Sequence, residues 1–235
     1  MAIKKRKKVA IVGFAPSWNK APFANQEFEI WGLNELYMYI EKMPNGRWDR
    51  WFELHQKSRF MGSDRQGAEH IKKLAAMKCP VYMLESCKEV PSSIKYPLEE
   101  MIKYFDTNYF TNSISYMLAL AIYEGFEEIH VYGVNMETDS EYGSQRPSCE
   151  YFLGVAWGKR IKIYIPPDAD LLKTRFLYGY QDEERNVFRS KMKARIKDLQ
   201  AKQNQHNRIA EENRIAAEQF SGAIQDAEHI LKNWG

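Results

Sequence analysis

Short apolar runs, each closed by a glycine, asparagine or histidine, recur along the first two thirds of the chain. Val9-Ala10-Ile11-Val12 ends at Gly13, Glu29 to Leu33 ends at Asn34, and Arg50 to Leu54 ends at His55. Runs this short and this apolar read as strands buried on both faces. Pro80 to Leu84 and Ile129 to Tyr132 repeat the pattern, the second running into Gly133-Val134-Asn135, and Ile161 to Ile165 closes the series. Between the runs, helical spacing covers Ala68 to Met77, Ser113 to Tyr123 and a segment from about Pro147 to Trp157, with Gly125 stopping the second. Strands alternating with helices over short connections predict an α/β fold, a Rossmann-like parallel sheet with helices on both faces.

From Asp182 to Asn233 the pattern changes to a proline-free mixture of Lys, Arg, Glu, Gln and Asn, which predicts one long polar helix. Val187, Met192, Ile196, Leu199, Ile209, Ile215, Phe220, Ile224 and Leu231 make a broken seam along it, too irregular for a strict heptad. A helix this polar needs a partner or a docking surface to be stable, so coiled-coil-like self-association into a homo-oligomer, or packing back on the domain, is expected. Residues 1–8 then form a basic tail, 9–180 a Rossmann-like nucleotide-binding domain and 181–235 the helix.

Composition narrows the class. The 235 residues suit one large domain with an appendage. Apolar runs fall far short of the roughly 20 residues that span a bilayer, and the basic start lacks the apolar core of a signal peptide. A cytoplasmic protein with no membrane partner is expected. Cys79, Cys87 and Cys149 match no metal or redox spacing, so neither disulfide nor structural metal is expected. Lys4, Lys5, Arg6, Lys7 and Lys8 outweigh the net charge of +3, which leaves the rest of the chain net negative. A nucleic-acid surface is therefore not indicated, although the tail can touch phosphates.

In an open parallel sheet, ligands bind beyond the carboxyl ends of the strands. Gly13-Phe14-Ala15-Pro16-Ser17 gives close backbone approach at Gly13 and a hydroxyl at Ser17 for a phosphate or a helix cap. It is not GxGxxG, so the dinucleotide fingerprint is absent. Asn34 can read a base or ribose edge with both donor and acceptor. Thr111-Asn112-Ser113 opens an apolar helix with capping groups and free amides for an anion. A polar stretch follows Gly133, with Asn135, Asp139, Glu141, Tyr142 and Arg146. Arg146 suits a phosphate, while Asp139 or Glu141 can hold a divalent cation such as magnesium or act as a base. His55, at the end of its strand, is a candidate general base near neutral pH. A pocket bounded by Gly13, Asn34, Thr111 and Asn135 is expected.

At these same segments the chain resembles the Rossmann-like bacterial sialyltransferases and the related pterin-pyrophosphokinase-like superfamily. The carriers are Gly-x-x-Pro-Ser from Gly13 to Ser17, Asn-x-x-Tyr from Asn34 to Tyr37, and the whole of Thr111 to Met136. The Arg160 to Tyr164 strand with Pro167 and Leu171-Leu172 completes the likeness, which covers Val9 to Leu172 in patches. In that family the asparagine faces the nucleotide, and a histidine before the last helix is the catalytic base. This chain has Gly143-Ser144-Gln145-Arg146 there instead. Separately, Glu141-Tyr142, Gln145 to Tyr151 and Leu177 to Tyr180 resemble uncharacterised tailed-phage proteins, which implies a phage-encoded protein in the cytoplasm of a bacterial host.

The resemblance implies a nucleotide-sugar-dependent glycosyltransferase-like protein. Gly13, Pro16, Ser17, Asn34 and Asn135 would hold the nucleotide, Thr111 and Ser113 its phosphate or sugar, and Tyr142 and Arg146 the leaving phosphate. His55, Asp139 or Glu141 would activate the acceptor. Two alternatives stand beside it. One is phosphoryl or pyrophosphoryl transfer from a nucleoside triphosphate, lacking a GxxxxGK[ST] loop. The other is a non-catalytic nucleotide-binding phage protein.

Overall fold

The computed structural model describes residues 7–60, 67–136 and 142–234. Among the described residues seven strands form one sheet, and every pairing in it is parallel. They are β1 (Lys8–Val12), β2 (Phe28–Leu33), β3 (Arg50–Glu53), β4 (Val81–Met83), β5 (Ser93–Lys95), β6 (Glu128–Tyr132) and β7 (Lys162–Tyr164). Their order is β5-β4-β3-β2-β1-β6-β7, so the direction of winding reverses between β1 and β6.

The helices are α1 (Tyr37–Ile40), α2 (Lys57–Phe60), α3 (Gly67–Ala76), α4 (Leu98–Phe105), α5 (Ser113–Tyr123), α6 (Tyr142–Gly158) and α7 (Asp182–Trp234), with a 3-10 turn at Pro16–Lys20. Successive side chains of a strand point to opposite faces, and here both faces are apolar. Val9, Ile11, Trp31 and Phe52 pack with Met117, Leu118, Phe152 and Leu153 of α5 and α6. Ala10, Val12, Ile30 and Trp51 pack on the other side with Leu36, Ile40 and Leu74 of the α1 and α3 layer. Helix α5 is buried over most of its length because it runs under α6 as well as on the sheet.

Three features depart from the sequence expectation. Helix α6 starts at Tyr142, not near Pro147, and Pro147 lies inside it. As the sixth residue of the helix, Pro147 lacks the N–H that would bond the carbonyl of Gly143, and its ring crowds that carbonyl. The three-residue β5, helix α4 and the one-turn helices α1 and α2 were not anticipated: β5 is a short edge strand and α4 is bracketed by Pro97 and the left-handed Asp106. The 3-10 turn at Pro16–Lys20 takes up what reads as a ligand loop.

The chain divides into two compact units, Met1–Lys173 and Thr174–Gly235. In the first, Lys8 pairs with Glu27 at 2.7 Å and Lys7 with Glu127, so these two basic residues are tied to the fold; Lys4, Lys5 and Arg6 lie outside the described residues. In the second, α7 is 53 residues long, about 80 Å at 1.5 Å per residue, and buries none of its side chains. Its surface is laced by ion pairs one turn apart, such as Lys202 with Asp198 at 2.8 Å and Arg214 with Glu211 at 2.6 Å. Such pairs stabilise a helix by only a few tenths of a kcal/mol each. Among the described residues no helix is long and apolar enough to cross a membrane.

Candidate active site

Parallel strands deliver β1, β2, β3 and β6 to one edge of the sheet, where the chain after each enters a cavity of about 890 Å³. The cavity lies over the point where the strand order reverses, the place open α/β sheets reserve for ligands. Gly13, Asn34, His55, Thr111 and Asn135 all line it, together with Pro16 and Ser113.

Its floor is a crossing of two glycines. Gly13 N donates to Tyr132 O, and Ala15 N donates to Gly133 O, both at 2.8 Å. A Cβ on Gly13 would sit 2.5 Å from Gly133 O, and one on Gly133, whose φ is 65°, would sit 2.3 Å from Gly13 O. Two backbones can approach this closely only where neither carries a side chain.

Two amides point to a ligand. Asn34 has a left-handed φ of 50°, which asparagine tolerates better than most residues. Its main chain is fixed on both sides, since its N–H donates to Phe52 O at 2.9 Å and its carbonyl accepts from Trp51 Nε1 at 3.0 Å. Its Oδ1 is nevertheless buried without a hydrogen-bond partner, and so is Oδ1 of Asn135. A buried, unsatisfied acceptor costs about 1–3 kcal/mol, and two of them stand beside this one cavity. Phe14 stands on the rim, 44% exposed and edge-on to Tyr39 at 6.4 Å, as a surface on which a planar ring can stack.

Helix α5 begins at the cavity. Asn112, and not a hydroxyl of Thr111 or Ser113, caps it by accepting from Ser115 N at 3.0 Å. The amides of Ser113 and Ile114 precede the first intrahelical bond and favour an anion. The hydroxyl of Thr111 is shared with Ser148 Oγ at 2.6 Å, which ties this loop to α6.

His55 lines the cavity with Nδ1 held 2.6 Å from Glu53 Oε1. The carboxyl of Glu53 is pushed up by burial, but hydrogen bonds from His55 and His70 more than offset that and hold it below the usual carboxylate range. This arrangement gives the cavity an imidazole oriented by an ionised carboxylate.

Several expected ligand groups are occupied elsewhere. Ser17 is fully buried, and its Oγ accepts from Gly133 N at 2.8 Å, so it braces the glycine crossing instead of meeting a phosphate. Arg146 binds Glu150 at 2.8 Å and donates to the carbonyls of Asp170 and Lys173, pinning the segment after β7. Both side chains are the right types for an anion, and the fold engages the hydroxyl oxygen of Ser17 and the guanidinium of Arg146 internally. Asp139 and Glu141 lie outside the described residues, as does the side chain of Tyr142. Among the described residues no group of three His, Cys, Asp or Glu side chains could hold a metal ion. The sequence reading missed Phe14, Leu54, Phe110 and Tyr116 of the lining, and the buried Glu53 and His70 behind it. A glutamate inside the apolar run of β3 was the one local signal.

No protein-family model and no curated protein matches the chain. Among solved structures it is similar to the sialyltransferase CstII from Campylobacter jejuni in complex with cytidine-5'-monophosphate, at 18% identity over 69% of this chain and 81% of that one, with a TM-score of 0.45. CstII in complex with CMP-3FNeuAc gives 17% identity over 67% and 79%, again at 0.45. The α-2,3-sialyltransferase Cst-I from Campylobacter jejuni gives 15% identity over 83% and 98%, at 0.48. Values this low carry neither a ligand nor a reaction over to this chain.

Proposed function

We propose that the first unit binds a nucleotide at the carboxyl edge of the sheet and uses a nucleotide sugar as glycosyl donor. The observation that carries this reading is the pair of buried, unpartnered amide oxygens on Asn34 and Asn135 beside the Gly13–Gly133 crossing. Hydroxyls of a ribose, or an amino group of a base, supply the missing donors. The start of α5, with Thr111 and Ser113, receives the phosphate, and Phe14 stacks on the base. The ordered resemblance of Gly13 to Ser17, Asn34 to Tyr37 and Thr111 to Met136 to sialyltransferase segments supports the sugar-nucleotide class over other nucleotides. His55 accepts the proton of the attacking hydroxyl.

Calorimetry with a panel of nucleoside monophosphates and their sugar conjugates tests it. One base is expected to bind, and its sugar conjugate to be cleaved slowly by water. Asn34→Ala is expected to weaken that binding by about 1–3 kcal/mol, because a ligand donor then stays desolvated and unpaired. Unchanged affinity with an intact fold returns Asn34 to a purely backbone role. Magnesium-dependent triphosphate cleavage without sugar transfer would replace the reading with phosphoryl transfer, and tight binding without turnover with a binding protein.

We further propose that α7 pairs with a second copy of itself. A four-and-three spacing runs unbroken through Met192, Ile196, Leu199, Gln203, His206, Ala210, Asn213, Ala217, Phe220, Ile224, Ala227, Leu231 and Trp234. Such spacing keeps one seam facing a partner helix, with polar layers at its centre setting register. Leu231 and Trp234 are more than two-thirds exposed in the single chain, and association buries them. Light scattering on the full chain is expected to give a multiple of its 27.7 kDa mass. The double variant Leu199→Glu, Phe220→Glu is expected to be monomeric, whereas a monomeric parent would exclude the pairing.

A further inference from the structure

Behind His55 a line of buried polar groups runs from the cavity into the core. Glu53, 1% exposed, accepts through Oε1 from His55 Nδ1 at 2.6 Å and through Oε2 from His70 Nε2 at 2.9 Å. His70, also 1% exposed, sits on α3, and its Nδ1 lies 2.8 Å from the hydroxyl of Tyr37 on α1, the two rings stacked with centroids 5.7 Å apart. Four side chains from three elements and one loop thus form a single chain of hydrogen bonds with one end at the cavity.

The directions of these bonds follow from one charge. An ionised carboxylate only accepts, so both facing ring nitrogens carry their hydrogens. Neutral His70 is then the Nε2–H tautomer, and its bare Nδ1 takes the hydrogen of Tyr37. That phenol keeps its proton: burial first, then the charges of Glu35, Glu41 and Glu53, push it up to about 12. Neutral His55 is the opposite tautomer, with the hydrogen on Nδ1 and the lone pair on Nε2. The nitrogen that can meet a ligand is therefore an acceptor.

We propose that Glu53, anchored by His70 and Tyr37, is a positioning residue that fixes His55 as the Nδ1–H tautomer, so that Nε2 takes the proton of the incoming acceptor hydroxyl. The proposal rests on the glycosyl-transfer reading for its substrate, not for its geometry. In the transfer step the acceptor oxygen bonds to the anomeric carbon as the bond from that carbon to the phosphate oxygen breaks. The bonding pair leaves on the phosphate, and the hydroxyl proton moves to His55 Nε2, forming an imidazolium whose other N–H already faces Glu53. The carboxylate stabilises that charge without itself becoming protonated.

Nitrogen-15 NMR on histidine-labelled protein, above the ordinary histidine titration range, reads which ring nitrogen carries hydrogen without any ligand present. Five histidines are present, and His55→Gln and His70→Gln spectra assign the two that matter. His55 is expected as the Nδ1–H form and His70 as the Nε2–H form. In Glu53→Gln the side chain offers one acceptor and one donor, so at least one of the two facing ring nitrogens must give up its hydrogen, and His55 or His70 is expected to change tautomer. Tyr37→Phe, which leaves the carboxylate in place, is expected to move only the Nδ1 signal of His70. An Nε2–H His55 in the parent protein, or His55 and His70 patterns both untouched by Glu53→Gln, would overturn the relay. Nucleotide binding alongside that result would leave the ligand reading standing, and the expected tautomers without nucleotide binding would sink the ligand reading alone.

Discussion

Gly133→Ala is expected to lose about 3–5 kcal/mol of stability and to empty the site of its geometry. The new Cβ would lie 2.3 Å from Gly13 O, 2.6 Å from Gly13 C and 2.9 Å from Trp18 Cβ. Two of those atoms are backbone and cannot swing aside. Relief requires β1 and β6 to part at their carboxyl ends, where Gly13 N–Tyr132 O, Ala15 N–Gly133 O and Gly133 N–Ser17 Oγ hold them together at 2.8 Å each. Each bond lost costs about 1 kcal/mol, overpacking adds about 1–3, and the positive φ adds about 1 more. A melting temperature lowered by roughly 10 °C is expected for a unit of this size. Gly125→Ala is the control, since its φ of 77° is similar but a Cβ there meets nothing within 4 Å. Only the small conformational cost applies to it. Equal losses at the two positions would show that backbone conformation alone, not the crossing, governs Gly133.

The strand ends that build this crossing were legible in the sequence, because a run such as Val9 to Val12 has no polar face and must lie inside a parallel sheet. The same logic found Asn34 and His55, each the first polar group after a buried run. Local pattern is silent where burial is incomplete: β5 is a three-residue edge strand, Ser93-Ile94-Lys95, whose isoleucine is 44% exposed, and among the described residues it pairs with β4 alone. It is silent too on what a side chain faces. Ser17 and Arg146 have the chemistry of phosphate ligands, yet Ser17 braces Gly133 N and Arg146 holds the carbonyls of Asp170 and Lys173. Glu53 and His70 stand 17 residues apart, and only the packing of α3 against β3 brings them to 2.9 Å. On the seam proposed for α7, Gln203, His206 and Asn213 fall at the four-and-three positions, so a count of apolar residues alone breaks that spacing.

Glu53→Ala carries the second large expected effect, a loss of about 3–5 kcal/mol near neutral pH. The deletion leaves the Nε2–H of His70 buried at 1% exposure with its acceptor gone, and orphaning a group that was bonded to a buried charge is among the costlier single changes. It also removes the acceptor for His55 Nδ1 and opens a void between β3 and α3. The pH dependence carries a sign. Hydrogen bonds from the two imidazoles hold the folded carboxyl below its unfolded value near 4.3, so its contribution is complete above that value. It is lost as pH falls through the lower, folded value. The stability gap between parent and variant is therefore expected to be widest from about pH 5 upward and to narrow on further acidification. Urea denaturation of both proteins across that range measures it. A gap that stays constant into acid would mean that folding leaves the affinity of this carboxyl for protons unchanged, and a gap that widens would mean that Glu53 is protonated in the fold; either result would remove the ionised carboxylate that accepts from both imidazoles.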